Sequence, residues 1–288
     1  MIETFDLSRK YGDYVAVDQV NLRIEDREIF GFLGLNGAGK TTVMRMICGL
    51  LRPTHGYSRV GNLIVRGPAD TSHLIGKLSF ISQEMKFHEH ATLKELINIY
   101  AQLIGADPQT GMNFASQIGI SLDRPCHSFS PGQQRKAQLA IALLKKPEYL
   151  LLDEPSAGLD PQGVAEMRDI LKSLHASGTT IFFSSHILSE VQTLCTTVGI
   201  LHRGKIRFYG KLQSAFQIAI ANNSMEAALS YLSEQSIKAV PCNASVEVTI
   251  TEEQIPALVE ALNQHGIHTG LVKTASLEDT FQKIIRQE

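Results

Sequence analysis

One segment constrains this chain more than any other: Gly34-Leu35-Asn36-Gly37-Ala38-Gly39-Lys40-Thr41. It fits the pattern G-x-x-x-x-G-K-[ST] at every fixed position, after an apolar stretch ending at Leu33 and before a helix-like stretch from Thr41 to Leu51. Strand, glycine-rich turn and helix, in that order, are what a phosphate-binding loop requires. Small residues let successive backbone N–H groups turn inward around phosphate oxygens, and the helix N-terminus adds a favourable dipole. Lys40 is placed to reach the β- and γ-phosphates and the Thr41 hydroxyl to ligate Mg²⁺, with Thr42 beside them in the nucleotide-binding set.

A second motif complements the first. Tyr149-Leu150-Leu151-Leu152 runs straight into two carboxylates, Asp153 and Glu154. A buried strand ending there would deliver Asp153 to the metal side of the site, acting through water. Glu154 would then sit where an attacking water is polarised. Acids at strand ends often serve only capping or solubility, but downstream of a phosphate loop the pair acquires chemical meaning.

Strand-like stretches at Glu3–Leu7 and Val20–Ile24 precede the loop. Residues from about 84 to 145 read as mostly helical, with a Thr92/Glu95 capping-box pattern and Leu96, Tyr100 and Leu103 on one face. Asp160 can cap a later helix with Pro161 at its first position. Val164, Met167, Leu171 and Leu174 form its stripe, and Gly178 ends it. Thr180–Phe183 is another short apolar strand, and Val198–His202 with Lys205–Tyr209 reads as a hairpin. Strands alternating with helices predict a parallel α/β sheet.

Beyond about residue 211 the pattern changes to a compact α/β appendage. A helix near Met225–Gln235, an alternating strand at Val246–Ile250 and a helix carrying Ile255, Leu258, Val259 and Leu262 follow in order. A strand near Ile267–Val272 leads to a last helix, capped by Ser276 and Asp279 and striped by Leu277, Phe281, Ile284 and Ile285. The expected organisation is a nucleotide-binding domain over 1–210, with a helical subdomain at about 84–145, and a small accessory domain over 211–288.

Between the two phosphate-site motifs stands Phe129-Ser130-Pro131-Gly132-Gln133-Gln134-Arg135, which resembles the LSGGQ signature of the ATP-binding cassette (ABC) ATPases. Other marks of that family fall in order over residues 1–210. Tyr11, before Gly12, resembles the aromatic that stacks on adenine. Gln83 resembles the glutamine that contacts Mg²⁺ and senses the transport partner. Ser156-Ala157-Gly158-Leu159-Asp160 resembles the D-loop, and His186, after Ser184-Ser185, the switch histidine near the γ-phosphate.

The resemblance implies an ABC-type P-loop ATPase: a RecA-like core with an antiparallel β subdomain and a helical subdomain, using ATP and Mg²⁺. It implies catalytic roles for Lys40, Gln83, Glu154 and His186, metal contacts for Thr41, Gln83 and Asp153, and nucleotide contacts for Tyr11, Gly132 and Asp160. Ser130 is implied to act in trans, on the ATP of a second cassette in a head-to-tail homodimer. Phe129 stands where the family has leucine, Pro131 where it has the first signature glycine, and Leu35 where proline is common in the loop. Ser130 can still cap the following helix and Pro131 suits its first turn, so Ser130 and Gly132 survive as γ-phosphate donors. Ser276-Leu277-Glu278-Asp279-Thr280-Phe281 resembles the closing SLEDxF motif of ABC-2-type exporter cassettes. That implies an ATPase subunit on the cytoplasmic face of the cell membrane, held there by an integral membrane permease.

Composition bounds this reading. With 43% hydrophobic residues the chain has material for a core, and a net charge of −2 without a dense Lys/Arg run argues against a nucleic-acid partner. No stretch approaches the ~20 apolar residues that span a bilayer, and the N-terminus lacks an apolar signal core. Cys48, Cys126, Cys195 and Cys242 lie far apart and read as reduced thiols of a cytoplasmic protein. His88-Glu89-His90 offers two ligand candidates without a third and reads as a solvated loop. The competing reading is a soluble cassette ATPase of repair, ribosome function or iron–sulfur assembly. Against it stand the single cassette and the absence of coiled-coil heptads and paired CxxC motifs. A nucleotide-binding regulator with little hydrolysis is a third reading, opposed by Glu154 and His186.

Overall fold

The computed structural model describes residues 1–84, 87, 90–211, 215–220, 224–242, 245–250, 254–274 and 281. The chain divides into two compact units, Met1–Gly210 and Lys211–Glu288. The first begins with β1 (Ile2–Tyr11), β2 (Tyr14–Ile24), β3 (Ile29–Leu33), α1 (Lys40–Ile47), β4 (His55–Val60), β5 (Leu63–Val65), α2 (Thr71–Leu74) and β6 (Leu78–Ile81). It continues through α3 (Leu93–Ile104), α4 (Pro108–Gln117), α5 (Pro131–Ala142), β7 (Tyr149–Asp153), α6 (Pro161–Ala176), β8 (Thr180–Ser185), α7 (Leu188–Leu194), β9 (Thr197–His202) and β10 (Lys205–Lys211).

Two sheets result. One is antiparallel, in the order β2-β1-β4-β5; the other runs β10-β9-β3-β8-β7-β6, with parallel neighbours from β9 to β6. β3, β7, β8 and β9 are buried at every residue, which is why none of them alternates between apolar and polar positions. Their register decides where the chemistry lies. Leu33 pairs with Ser185, Asp153 with Ser184 and Ile81 with Leu152. The residues that leave β3, β6, β7 and β8 therefore emerge along one carboxyl edge, where open α/β sheets hold their ligands.

α3, α4 and α5 pack on one another around Leu93, Ile97, Ala101, Ala115, Ala137 and Ile141. The face expected for α3 differs from the one observed. Leu96 is buried, but Tyr100 is 36% and Leu103 74% exposed, and the buried line runs through Leu93, Ile97 and Ala101. The two lines sit one residue apart around the helix, and α4 and α5 cover the second. Every helix of this cluster starts on a polar cap: Thr92 with Glu95 in a capping box, Asp107 accepting from the Gln109 N–H, and Ser130 with Gln133 in a second box.

The second unit runs β11 (Ala215–Ile220), α8 (Met225–Glu234), β12 (Ala239–Cys242), β13 (Ser245–Thr249), α9 (Ile255–Gln264) and β14 (Thr269–Thr274). Its antiparallel sheet has the order β12-β13-β11-β14, the split βαβ arrangement. Ile218, Ile220, Val246 and Val248 of the sheet meet Ala228, Leu232, Leu258 and Leu262 of the helices. Of the expected last helix and its SLEDxF segment, Phe281 is buried, while Ser276, Leu277, Asp279, Ile284 and Ile285 lie outside the described residues. Among the described residues, no helix is long and apolar enough to cross a membrane.

Candidate functional site

The loop between β3 and α1 closes too tightly for side chains at two points. A Cβ on Gly34 would lie 2.5 Å from the Leu201 carbonyl, and one on Gly39, whose φ is 106°, 2.7 Å from the Ala16 carbonyl. The Lys40 side chain, 6% exposed, pairs with Glu154 Oε1 at 3.1 Å. Its ammonium also donates to the carbonyls of Gly34 at 2.6 Å and Leu35 at 3.3 Å.

Glu154 follows β7 directly and holds a φ of 52°, a left-handed conformation that costs a residue with a Cβ about 1–3 kcal/mol. Its second oxygen, Oε2, lies 2.7 Å from His186 Nδ1. Asp153 is flanked by two hydroxyls. Thr41 Oγ1 donates to its Oδ2 at 2.6 Å, and Ser184 Oγ to its Oδ1 at 2.7 Å. The Glu154 N–H donates to Ser184 Oγ at 2.9 Å, so a single buried hydroxyl joins the two acidic residues. Ser184 was foreseen only as the approach to His186. The available signal was a hydroxyl amid Ile181, Phe182 and Phe183 on a wholly buried strand. One residue further on, Ser185 Oγ donates to the buried Glu190 at 2.9 Å and accepts the Ile187 N–H at 2.9 Å, fixing the turn that carries His186.

Over the loop lies a cleft of about 320 Å³, lined by residues 35–42 with Tyr11, Tyr14, Gln83 and Glu154. Asp153 joins it through Thr41, His186 through Glu154, and Gly34 through the Lys40 ammonium. Tyr14 was not foreseen. It is paired with Tyr11 across the β1–β2 turn, and both rings are exposed. The Arg9 guanidinium stands 4.6 Å from the Tyr11 ring centroid, a cation–π contact on one face.

Ser130, Gly132 and Asp160 are not in this cleft. They line a separate one of about 490 Å³ in the same unit. Ser130 Oγ accepts the Gln133 N–H at 3.3 Å, and Gln133 Oε1 accepts the Ser130 N–H at 3.2 Å. Because the serine oxygen acts as an acceptor in this cap, its own proton stays available for donation. Pro131 occupies the first turn of α5, where no N–H is needed. Phe129, where the family has leucine, is buried in the α3–α5 core. Asp160 Oδ1 accepts the Gly163 N–H at 2.7 Å and caps α6.

Burial pushes the Cys126 thiol up to about 11, and Cys48 and Cys195 rise for the same reason, so these thiols are poor nucleophiles. Among the described residues no group of His, Cys, Asp and Glu could hold a metal ion on its own. His88 and Glu89 lie outside the described residues, and the His90 ring stands edge-on to that of His127 at 6.0 Å.

Residues 17–157 match the family model described as ABC transporter. The bacitracin transport ATP-binding protein BcrA of Bacillus licheniformis is 39% identical over 211 residues, covering 72% of this chain and 68% of that protein. The chain belongs to the ABC transporter family. It is an ABC transporter ATP-binding protein and an ATPase, and the reading as a soluble ATPase of repair, ribosome function or iron–sulfur assembly gives way to transport. The lantibiotic transport ATP-binding protein SrtF of Streptococcus pyogenes is 32% identical over 208 residues, covering 72% of this chain and 89% of that one. The bacterial ABC transporter cassette MJ0796, solved as a dimer, superposes with a TM-score of 0.68 at 22% identity, covering 74% of this chain and 99% of that one. The fold is thus the ABC-type P-loop ATPase fold expected from the sequence.

Proposed function

We propose that this ABC ATPase energises export through a separate membrane-embedded permease, as one of two identical cassettes that ATP closes and hydrolysis reopens. The observation that carries the reading is the joined cluster of Lys40, Glu154, His186, Thr41, Asp153 and Ser184 at the carboxyl edge of the parallel sheet. That Ser130 and Gly132 line a second cleft favours an assembly in which each subunit offers them to its partner's ATP.

In this scheme the backbone of residues 35–42 holds the triphosphate and Tyr11 stacks on adenine. The Lys40 ammonium leaves the Gly34 and Leu35 carbonyls for β- and γ-phosphate oxygens, which frees Glu154 from its ion pair. Thr41, Gln83 and, through water, Asp153 offer the hard oxygen donors that suit Mg²⁺, which supplies charge neutralisation at the β- and γ-phosphates when bound. Glu154 accepts a proton from the attacking water, and His186 orients the carboxylate. Ser130 and Gly132 of the facing subunit donate to the γ-phosphate, so loss of that phosphate opens the pair.

The relatives named for bacitracin and lantibiotic transport favour a cargo of that kind, chosen by the permease rather than by this chain. The working location is the cytoplasmic face of the membrane. Every motif assigned to ATP lies before residue 211, so the unit Lys211–Glu288 serves assembly rather than catalysis. The test is affinity purification of the tagged chain from detergent-solubilised membranes of its host. An integral membrane protein should co-purify; recovery of the chain alone, from the soluble fraction only, refutes the transporter role.

A further inference from the structure

Arg135 is 9% exposed and sits on α5, five residues after Ser130. Its guanidinium reaches out of the helical cluster to the end of β6. Nη1 donates to the Ser82 carbonyl at 3.1 Å, and Nη2 donates to the Gln83 carbonyl at 3.0 Å. Nη1 also donates to Oε1 of Gln138, one turn further along α5, at 2.9 Å. A planar fork on two consecutive carbonyls fixes the residue between them, because its donors are held in one plane at a set spacing. The residue so fixed is Gln83, held through the carbonyls of the peptides on both its sides, and Gln83 lines the nucleotide cleft. Burial draws the Arg135 pKa below its ordinary value, and nearby Asp153 opposes the shift. The charge is thus held where a neutral residue would be simpler to bury.

A second bond closes the other end of the contact: Ser79 Oγ donates to the Ala142 carbonyl at 2.7 Å. Seven helical residues from Arg135 to Ala142 rise about 10 Å, close to the span of the three to four strand residues from Ser79 to Ser82 and Gln83. α5 thus lies along β6, pinned at both ends. Of these two pins, Arg135 is the one nearer both Ser130 and Gln83.

We infer that Arg135 is a positioning residue that sets Gln83 in the nucleotide cleft and locks it to the helix carrying Ser130. A change at Gln83 on nucleotide binding is thereby transmitted to the cleft that meets the second subunit. This inference rests on the nucleotide reading proposed above. Because Ser79 and the apolar side of α5 remain in place, Arg135→Met should still fold, and Arg135→Lys restores charge and a single donor group without the fork.

The test compares wild type, Arg135→Met, Arg135→Lys, Gln83→Ala and the Arg135→Met/Gln83→Ala double variant. Readouts are ATP affinity in EDTA, the Mg²⁺ concentration that half-saturates ATP-induced thermal stabilisation, and turnover. Arg135→Met should leave ATP affinity in EDTA unchanged and raise the half-saturating Mg²⁺ about 10-fold, the usual scale for losing a group that orients a metal contact. Arg135→Lys should fall between. The double variant should match Gln83→Ala alone in Mg²⁺ dependence. A wild-type Mg²⁺ dependence in both Arg135 variants, or additive effects in the double variant, overturns the inference. Should Arg135→Met fail to fold, the Arg135→Lys profile decides it alone. Lys40→Ala run alongside separates the two readings: if ATP affinity survives that change, the nucleotide site itself is misassigned.

Discussion

Glu154→Gln perturbs two properties that the structure allows to be separated. Glutamine keeps the shape and an oxygen for His186 but removes both the base and the charge. Loss of a general base lowers turnover roughly 10²–10⁴-fold. At 1.36 kcal/mol per decade that is about 3–5 kcal/mol on the barrier. The stability effect arises at Lys40, whose 6% exposed side chain loses the anion 3.1 Å away. Breaking a buried pair from one side costs about 3–5 kcal/mol when nothing else satisfies the remaining charge. Here the ammonium keeps the Gly34 and Leu35 carbonyls, so about 1–2 kcal/mol is expected. In a domain of this size each kcal/mol corresponds to a melting shift of about 2–4 °C. ATP supplies replacement anions to Lys40, so ATP in EDTA should raise the melting temperature of the variant by more than it raises that of wild type. Differential scanning fluorimetry and single-turnover hydrolysis measure the two effects. Turnover near wild type, or an ATP-induced shift no larger than that of wild type, refutes the reasoning.

Ser184→Ala should leave Asp153 Oδ1 and the Glu154 N–H unpaired, lowering stability in urea unfolding by about 1–3 kcal/mol together with turnover; an unchanged midpoint counts against the joining role. Glu154→Gln with Mg²⁺ and ATP should elute from a sizing column as a dimer, and Ser130→Arg in that background should return it to monomer. A persisting dimer would place Ser130 outside the interface. Truncation after Gly210 should preserve ATP affinity while weakening dimer or membrane-complex recovery. Lost nucleotide binding in a still-folded product contradicts that division of labour.

The phosphate loop was legible because its residue identities are dictated by backbone geometry: Gly34 and Gly39 sit against the carbonyls of Leu201 and Ala16, with no room for a Cβ. The unbroken apolar runs of β7 and β8 were legible because both faces are buried. β6 escaped notice because four residues, two of them buried, carry no period of their own. In the second unit β12 escaped because Pro241 interrupts it on an edge. The core face of α3 was misplaced by one residue, since α4 and α5, not the helix's own period, choose between adjacent apolar lines. Ser184 and Arg135 have meaning only through register and packing. Ser184 needs β8 paired to β7 with Ser184 opposite Asp153, and Arg135 needs α5 laid along β6. Tyr14 becomes a cleft residue only once the β1–β2 turn brings it beside Tyr11.

Phosphate release by purified protein at saturating Mg²⁺ and ATP, wild type against Lys40→Ala, probes the catalytic cluster most directly. Wild type should turn over, and the variant should fall by at least ~100-fold, as expected for loss of a preorganised charge at the transferred phosphoryl group. Equal rates in the two proteins, or no phosphate release by wild type, would contradict ATP hydrolysis at the cleft formed by Lys40, Thr41, Asp153 and Glu154.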